Sequence, residues 1–269
     1  MKLRETLTTD ILHRRYAARL AMYAAEKFFG NRPIPWPVIR LARGVSSHRN
    51  ALISDRASAV LDIGKLNNAT WQTALAASER AFDEWSFNEE SLNLLERRLR
   101  AARPRFTLEF GCGLSTFCTA VLLNEMWGPD GEWAVFGIEQ DENHAAWVRK
   151  ILGRLGLAHR VEIKVAPLVR QPALGMEVSS YALSQDEISA FLKGRRPSFV
   201  VIDGPFGEGP VRLATLPLVL PYLEKDAIVL LDDALRDNEL MIIKAWHQLG
   251  VRVRGIRPIR SGLAELYTA

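Results

Sequence analysis

The chain has 269 residues, 48% hydrophobic and 25% charged, which is enough apolar material for a sizeable core and unlike a disordered segment. No run of about 18 apolar residues occurs, the N-terminus lacks a secretory core, and two cysteines, Cys112 and Cys118, are too few for a disulfide framework. These features point away from membrane-spanning and disulfide-stapled secreted classes and toward a reducing cytoplasm. The net charge of +4 is uneven, because residues 1–60 hold 11 Lys/Arg against 4 Asp/Glu.

Residues 1–30 read as helical, with Leu12, Tyr16, Leu20 and Tyr23 at helical spacing, until the prolines of NRPIPWP stop the pattern. Thr70 is an N-cap candidate for a helix to Trp85, and residues 88–102 form a second amphipathic helix with Leu92, Leu95 and Leu99 on one face. After Pro104 strands and helices alternate. Strand-like runs cover 106–110, 133–139, 160–166, 198–204, 227–233, 251–259 and 262–268. Helices are expected to about Glu125, to about Leu155, around 187–193, and over 211–223 and 238–250. The segment between residues 166 and 187 reads as loop. This alternation predicts an α/β, doubly wound, mainly parallel sheet of seven strands. The last two strands are joined so tightly that they must form an antiparallel hairpin. Two units are expected: an N-terminal helical extension over 1–100 and a Rossmann-like domain over 101–269.

The run RFTLEFGCGLSTFCTAVLL is a strand, a glycine turn and a helix. Gly111 and Gly113 let a ligand approach the backbone, and Ser115 and Thr116 open a helix whose free N–H groups suit an anion. A dinucleotide fingerprint needs a third glycine three residues after Gly113, where this chain has Thr116. The next strand ends in Glu139, an acid placed to accept from two ribose hydroxyls. Glu109, inside the glycine motif, can meet an ammonium group. A ligand with both an amino-acid tail and a ribose uses all of these features, which describes S-adenosylmethionine.

On LEFGCGLST, FGIEQD and the closing hairpin, residues 105–268 resemble the class I S-adenosylmethionine-dependent methyltransferases. The resemblance implies cofactor contacts from Glu109, Gly111, Gly113, Ser115, Thr116 and Glu139. It also implies an adenine edge at Gln140 and residues 166–168.

IDGP puts Asp203 at the carboxyl end of the fourth strand of that series, and LLDD puts Asp232 and Asp233 at the end of the fifth. Three carboxylates in one crevice need a cation, a shared proton or a basic ligand, and oxygen-only donors suit Mg²⁺. The resemblance extends to metal-dependent O-methyltransferases of the catechol type, where these positions bind a divalent cation. Their lysine, three residues after the first acid, is Phe206 here, so that mechanism does not carry over whole. The pairing of IDGP with LLDD is more similar to bacterial small-molecule and sugar O-methyltransferases. Arg212 and Arg236 are read either as contacts for an anionic acceptor or as partners of the aspartates. The base is open among Asp203, Glu208 and a cation-bound hydroxide.

The expectation is a cytoplasmic methyltransferase acting on an oxygen of a small molecule or saccharide. Asp203 and Asp232 are its catalytic candidates, and Asp203, Asp232 and Asp233 its metal candidates. N-methyl or aminopropyl transfer, or a non-catalytic nucleotide-binding module, are the alternatives. Trp71, Phe82, Trp85 and Phe87 either roof the acceptor or seal the extension onto the core. The basic arm suits a homodimer contact, an anionic acceptor or a membrane surface, or it is a solvated helical face. Nucleic acid is disfavoured, since no basic run is interleaved with aromatics.

Overall fold

The computed structural model describes residues 66–76, 87–257, 259 and 261–269. The predicted helix over 1–30, the basic arm, Phe82 and Trp85 lie outside them.

Nine strands and seven α-helices are described: α1 Ala69–Ala76, α2 Glu89–Ala102, β1 Phe106–Phe110, α3 Leu114–Trp127, β2 Ala134–Glu139, α4 Glu142–Arg154, β3 Val161–Val165, β4 Leu168–Ala173, β5 Met176–Tyr181, α5 Gln185–Leu192, β6 Phe199–Ile202, α6 Thr215–Val219, β7 Ile228–Leu231, α7 Asp237–His247, β8 Arg252–Arg257 and β9 Leu263–Tyr267. Seven strands make one sheet in the order β3-β2-β1-β6-β7-β9-β8. The first five are parallel, and β9 runs antiparallel to both β7 and β8. This is the expected doubly wound α/β sheet with its closing hairpin. Chain order reverses between β1 and β6, so the crevice at their carboxyl ends is where a ligand is expected.

Strands β1, β2 and β6 are almost wholly buried, as continuous apolar runs require when both faces are covered. Alternate residues feed two cores. Leu108, Phe110 and Ile202 pack with Leu192, Leu216 and Trp246 from α5, α6 and α7. On the other face Val135, Phe199 and Val201 pack with Leu95, Phe117 and Val148 from α2, α3 and α4. Trp71 and Phe87 are buried in this second cluster, so both seal the extension onto the core.

Three expectations need correction. Asn68, not Thr70, caps α1: its side chain accepts from the Trp71 N–H at 3.1 Å. The helix expected over 211–223 is cut short, because Pro217 and Pro221 cannot continue a ladder. A turn leads into α6, and a 3₁₀ turn over Leu220–Tyr222 follows. Residues 168–181, read as loop, form an antiparallel hairpin set apart as its own two-stranded sheet. Leu174 and Gly175 turn it with φ of 48° and 80°, the two positive values that suit the right-handed twist of a tight hairpin.

Candidate functional site

After β1 the chain turns at Gly111, with φ of +80°, and its N–H donates to Ile138 O at 2.9 Å. A Cβ at Gly111 would lie 2.6 Å from Gly204 N, and one at Gly204 would lie 2.7 Å from Gly111 Cα. The glycine turn and the loop after β6 therefore touch backbone to backbone, and a side chain at either position would separate them. Gly113 then opens α3 with nothing within 4 Å of where its Cβ would stand. The Cβ side of Gly113 thus faces open space at the start of the helix.

Glu109 sits beneath this turn, 2% exposed. The hydroxyls of Ser115 and Thr116 each donate to one of its carboxylate oxygens. Thr116 Oγ1 in turn accepts the Gly113 N–H at 2.8 Å. Burial pushes the Glu109 carboxyl up to about 7, against the pull of its two hydroxyl donors and with help from Glu139. Four predicted cofactor residues, Glu109, Gly113, Ser115 and Thr116, are thus one hydrogen-bonded group.

Glu139 closes β2 and is 6% exposed. Its Oε2 accepts from the Cys112 N–H at 3.0 Å, and its Oε1 accepts from the N–H groups of Gln140 at 2.7 Å and Asp141 at 3.0 Å. It ties the end of β2 to the glycine turn. The Gln140 side chain spans to the other wall: its Nε2 donates to Phe206 O at 3.2 Å, and its Oε1 accepts from the Phe206 N–H at 2.8 Å. His144, at the start of α4, lies at the rim with Nε2 2.7 Å from Cys112 O. His247 is far from these strand ends and contacts Val251 O at 2.9 Å.

Asp203, Asp232 and Asp233 converge as expected, each offering an oxygen within 4.8 Å of the others. Their charge has an internal partner. Arg212, 5% exposed, puts Nη2 3.1 Å from Asp233 Oδ2 and 3.6 Å from Asp203 Oδ1, and Nη1 3.7 Å from Glu239 Oε1. It also donates to the main-chain oxygens of Asp203 and Asp232. Arg236 reaches Asp233 Oδ2 at 2.8 Å. Of the two readings of these arginines, the aspartate pairing is the one observed. Neither starts a helix by its own turn: Arg212 lies in the turn before α6, and Arg236 is the residue before α7.

Burial raises Asp203 to about 6, with Arg212 opposing and Asp233 adding to the rise. Asp232 is pushed well above its ordinary value by burial and then by Asp203 and Asp233. With carboxylate oxygens within 4.8 Å of each other, Asp203 and Asp232 are placed as two carboxyls that can share a proton. Glu208 is exposed on the loop beyond.

Sequence reasoning missed Tyr181, at the end of β5. Its hydroxyl is buried without a hydrogen-bond partner among the described residues, 2.7 Å from the position a Gly204 Cβ would take. No sequence signal ties a tyrosine in an unrecognised hairpin to a loop twenty residues on.

Residues 108–234, which span the glycine turn, Glu139 and all three aspartates, match the family model described as a methyltransferase domain. By that match this segment is similar to methyltransferase domains. Among curated proteins none matches the chain. Among solved structures, the SAH-bound methyltransferase PaMTH1 from Podospora anserina is 13% identical, with a TM-score of 0.53, covering 79% of this chain and 90% of its own. The O-methyltransferase TomG from Streptomyces achromogenes, involved in tomaymycin synthesis and in complex with SAM, is 20% identical, with a TM-score of 0.51 and coverage of 76% and 91%. The O-methyltransferase from Bacillus cereus in complex with SAH is 15% identical, with a TM-score of 0.50 and coverage of 87% and 97%. At these identities the methyltransferase domain shares their fold. No described helix is long and apolar enough to cross a membrane.

Proposed function

We propose that the protein uses S-adenosylmethionine to methylate an oxygen of a small-molecule or saccharide acceptor. The observation that carries this reading is the backbone contact of Gly111 with Gly204. It joins a turn suited to the methyl donor to a loop that begins at Asp203. The donor's carboxylate suits the open N-terminus of α3 at Gly113 and Ser115, and its ammonium suits Glu109, which Ser115 and Thr116 orient. Its ribose suits the lone pairs of Glu139 left over from backbone contacts, and its adenine suits the edge formed at Gln140.

Transfer is an in-line displacement. The acceptor oxygen forms a bond to the methyl carbon while the carbon–sulfur pair returns to sulfur. The proton leaves the acceptor for a carboxylate oxygen of Asp203, with Asp232 sharing the charge. A base near 6 is ionised at neutral pH and still retains basicity. Positioning supplies the remainder.

The cluster also suits a hard divalent cation such as Mg²⁺, held by Asp203, Asp232 and Asp233. Its donors are all oxygen, and Arg212 and Arg236 offset only part of the charge of these acids and Glu239. When bound, the cation would supply Lewis-acid lowering of the acceptor's hydroxyl pKa.

The excess of basic residues over 1–60 suits attraction of an anionic acceptor or membrane surface, or a homodimer contact. Cys112 and Cys118 are free and buried, which fits a cytoplasmic enzyme.

The test is transfer of labelled methyl to a panel of hydroxyl acceptors. Activity is expected to fall as pH drops through about 6, and Asp203→Asn should lower it by roughly 100-fold or more. EDTA should remove activity and Mg²⁺ restore it. Activity indifferent to both removes the cation, and a flat pH profile removes Asp203 as base.

A further inference from the structure

The outer edge of the sheet holds a second concentration of charge. Glu265 of β9 is 1% exposed. Arg98 of α2 lies 2.9 Å from its Oε2, and Arg254 of β8 donates to its Oε1 at 2.8 Å and to Tyr267 Oη at 2.9 Å. Two guanidiniums already outweigh this one carboxylate.

Arg257 is a third, paired with Leu263 of β9, two residues from Glu265. It is 9% exposed, and among the described residues its side chain makes no hydrogen bond or ion pair; its Nε is buried without an acceptor, as is the Nε of Arg98. Burial lowers the Arg257 pKa to about 10, with Arg98, Arg97 and Arg254 adding to the drop and Glu265 opposing it. Arg97, on the exposed side of α2, adds a fourth positive charge near Arg257.

A buried guanidinium without a counter-ion is destabilising. Its planar fork matches an oxyanion with paired donors. One carboxylate leaves the cluster in excess by two or three charges, and a phosphate group carries about −1.5 to −2 near pH 7.

We propose that Arg98, Arg254 and Arg257, with the exposed Arg97 beside them, bind the phosphate group of a small anionic ligand. The site stands on its own geometry and does not depend on methyl transfer.

The experiment is calorimetry and thermal melting of the full chain with inorganic phosphate at constant ionic strength. Saturable binding and a higher Tm are expected. Arg257→Gln and Arg97→Ala should each weaken phosphate binding by roughly tenfold or more, with far-UV circular dichroism unchanged. Arg257→Gln should also raise Tm in phosphate-free buffer, because it removes an uncompensated buried charge. An arginine that is merely structural would lower it, and that result overturns the proposal. Should Arg257→Gln not fold, the exposed Arg97→Ala variant carries the test. The proposal is equally overturned if chloride reproduces the phosphate effect or if both variants bind phosphate as the parent does. Capture by phosphatidic acid vesicles with no response to inorganic phosphate overturns it too.

Discussion

Glu109 is the residue on which binding and stability pull in opposite directions. An acid raised in the folded state to about 7 from an ordinary 4.5 binds its proton more tightly folded than unfolded. Stability therefore falls as pH climbs between those values, and the loss is complete above about 7. Glu109→Gln is expected to raise stability at pH 8 by roughly 1–3 kcal/mol and to change little at pH 4; urea unfolding at the two pH values checks this. The same ionisation favours a cationic ammonium. Affinity for S-adenosylhomocysteine should weaken by up to about tenfold per unit below pH 7 in the parent, and titration calorimetry should show that slope lost in the Gln variant. A parent affinity that is flat across pH 5.5–8 would remove Glu109 from the ammonium site. The motif announced an acid inside the glycine turn, but its hydroxyl clamp from Ser115 and Thr116 emerges only in three dimensions. The same holds for Arg212. Nothing in VRLATL shows that its guanidinium lies against residues 203, 232, 233 and 239.

At the scale of elements, the site is a contact between two loops. Gly204→Ala is expected to cost about 1–3 kcal/mol, because its Cβ meets Gly111 Cα and the Tyr181 hydroxyl, each at 2.7 Å. The same change should weaken S-adenosylhomocysteine binding, because the glycine turn must shift. Unfolding midpoints and calorimetry read the two effects, and unchanged values in both would mean that the loops do not bear on each other. The strands of this crevice were legible for a physical reason: AVFGIE and FVVI are buried on both faces and read as near-continuous apolar runs, and FTLEF keeps Phe106, Leu108 and Phe110 around the buried Thr107 and Glu109. The β4–β5 hairpin was not, because both its strands mix polar and apolar residues and Pro172 interrupts one of them. Its residues Val169, Leu174 and Met176 are among the exposed large hydrophobics, so burial left no clean period of two. The helix after β6 is shorter than its apolar spacing suggests, because Pro217 and Pro221 limit it to Thr215–Val219 and a following 3₁₀ turn.

At the scale of the molecule, a doubly wound sheet brings the donor turn and the acids to one end, where chain order reverses between β1 and β6. The closing hairpin seats β9 beside β7, and the loop after β7 hydrogen-bonds to it, Ala234 N–H to Gly262 O at 2.9 Å. Asp232 and Asp233 are thereby held by the far edge of the sheet. The central claim is that this end binds S-adenosylmethionine with Glu139 on its ribose. Titration calorimetry of S-adenosylhomocysteine into the parent and Glu139→Gln tests it most directly. Micromolar binding in the parent, weakened by roughly 10- to 100-fold in the variant, is the predicted result. No binding in the parent, or equal binding in both, would contradict it.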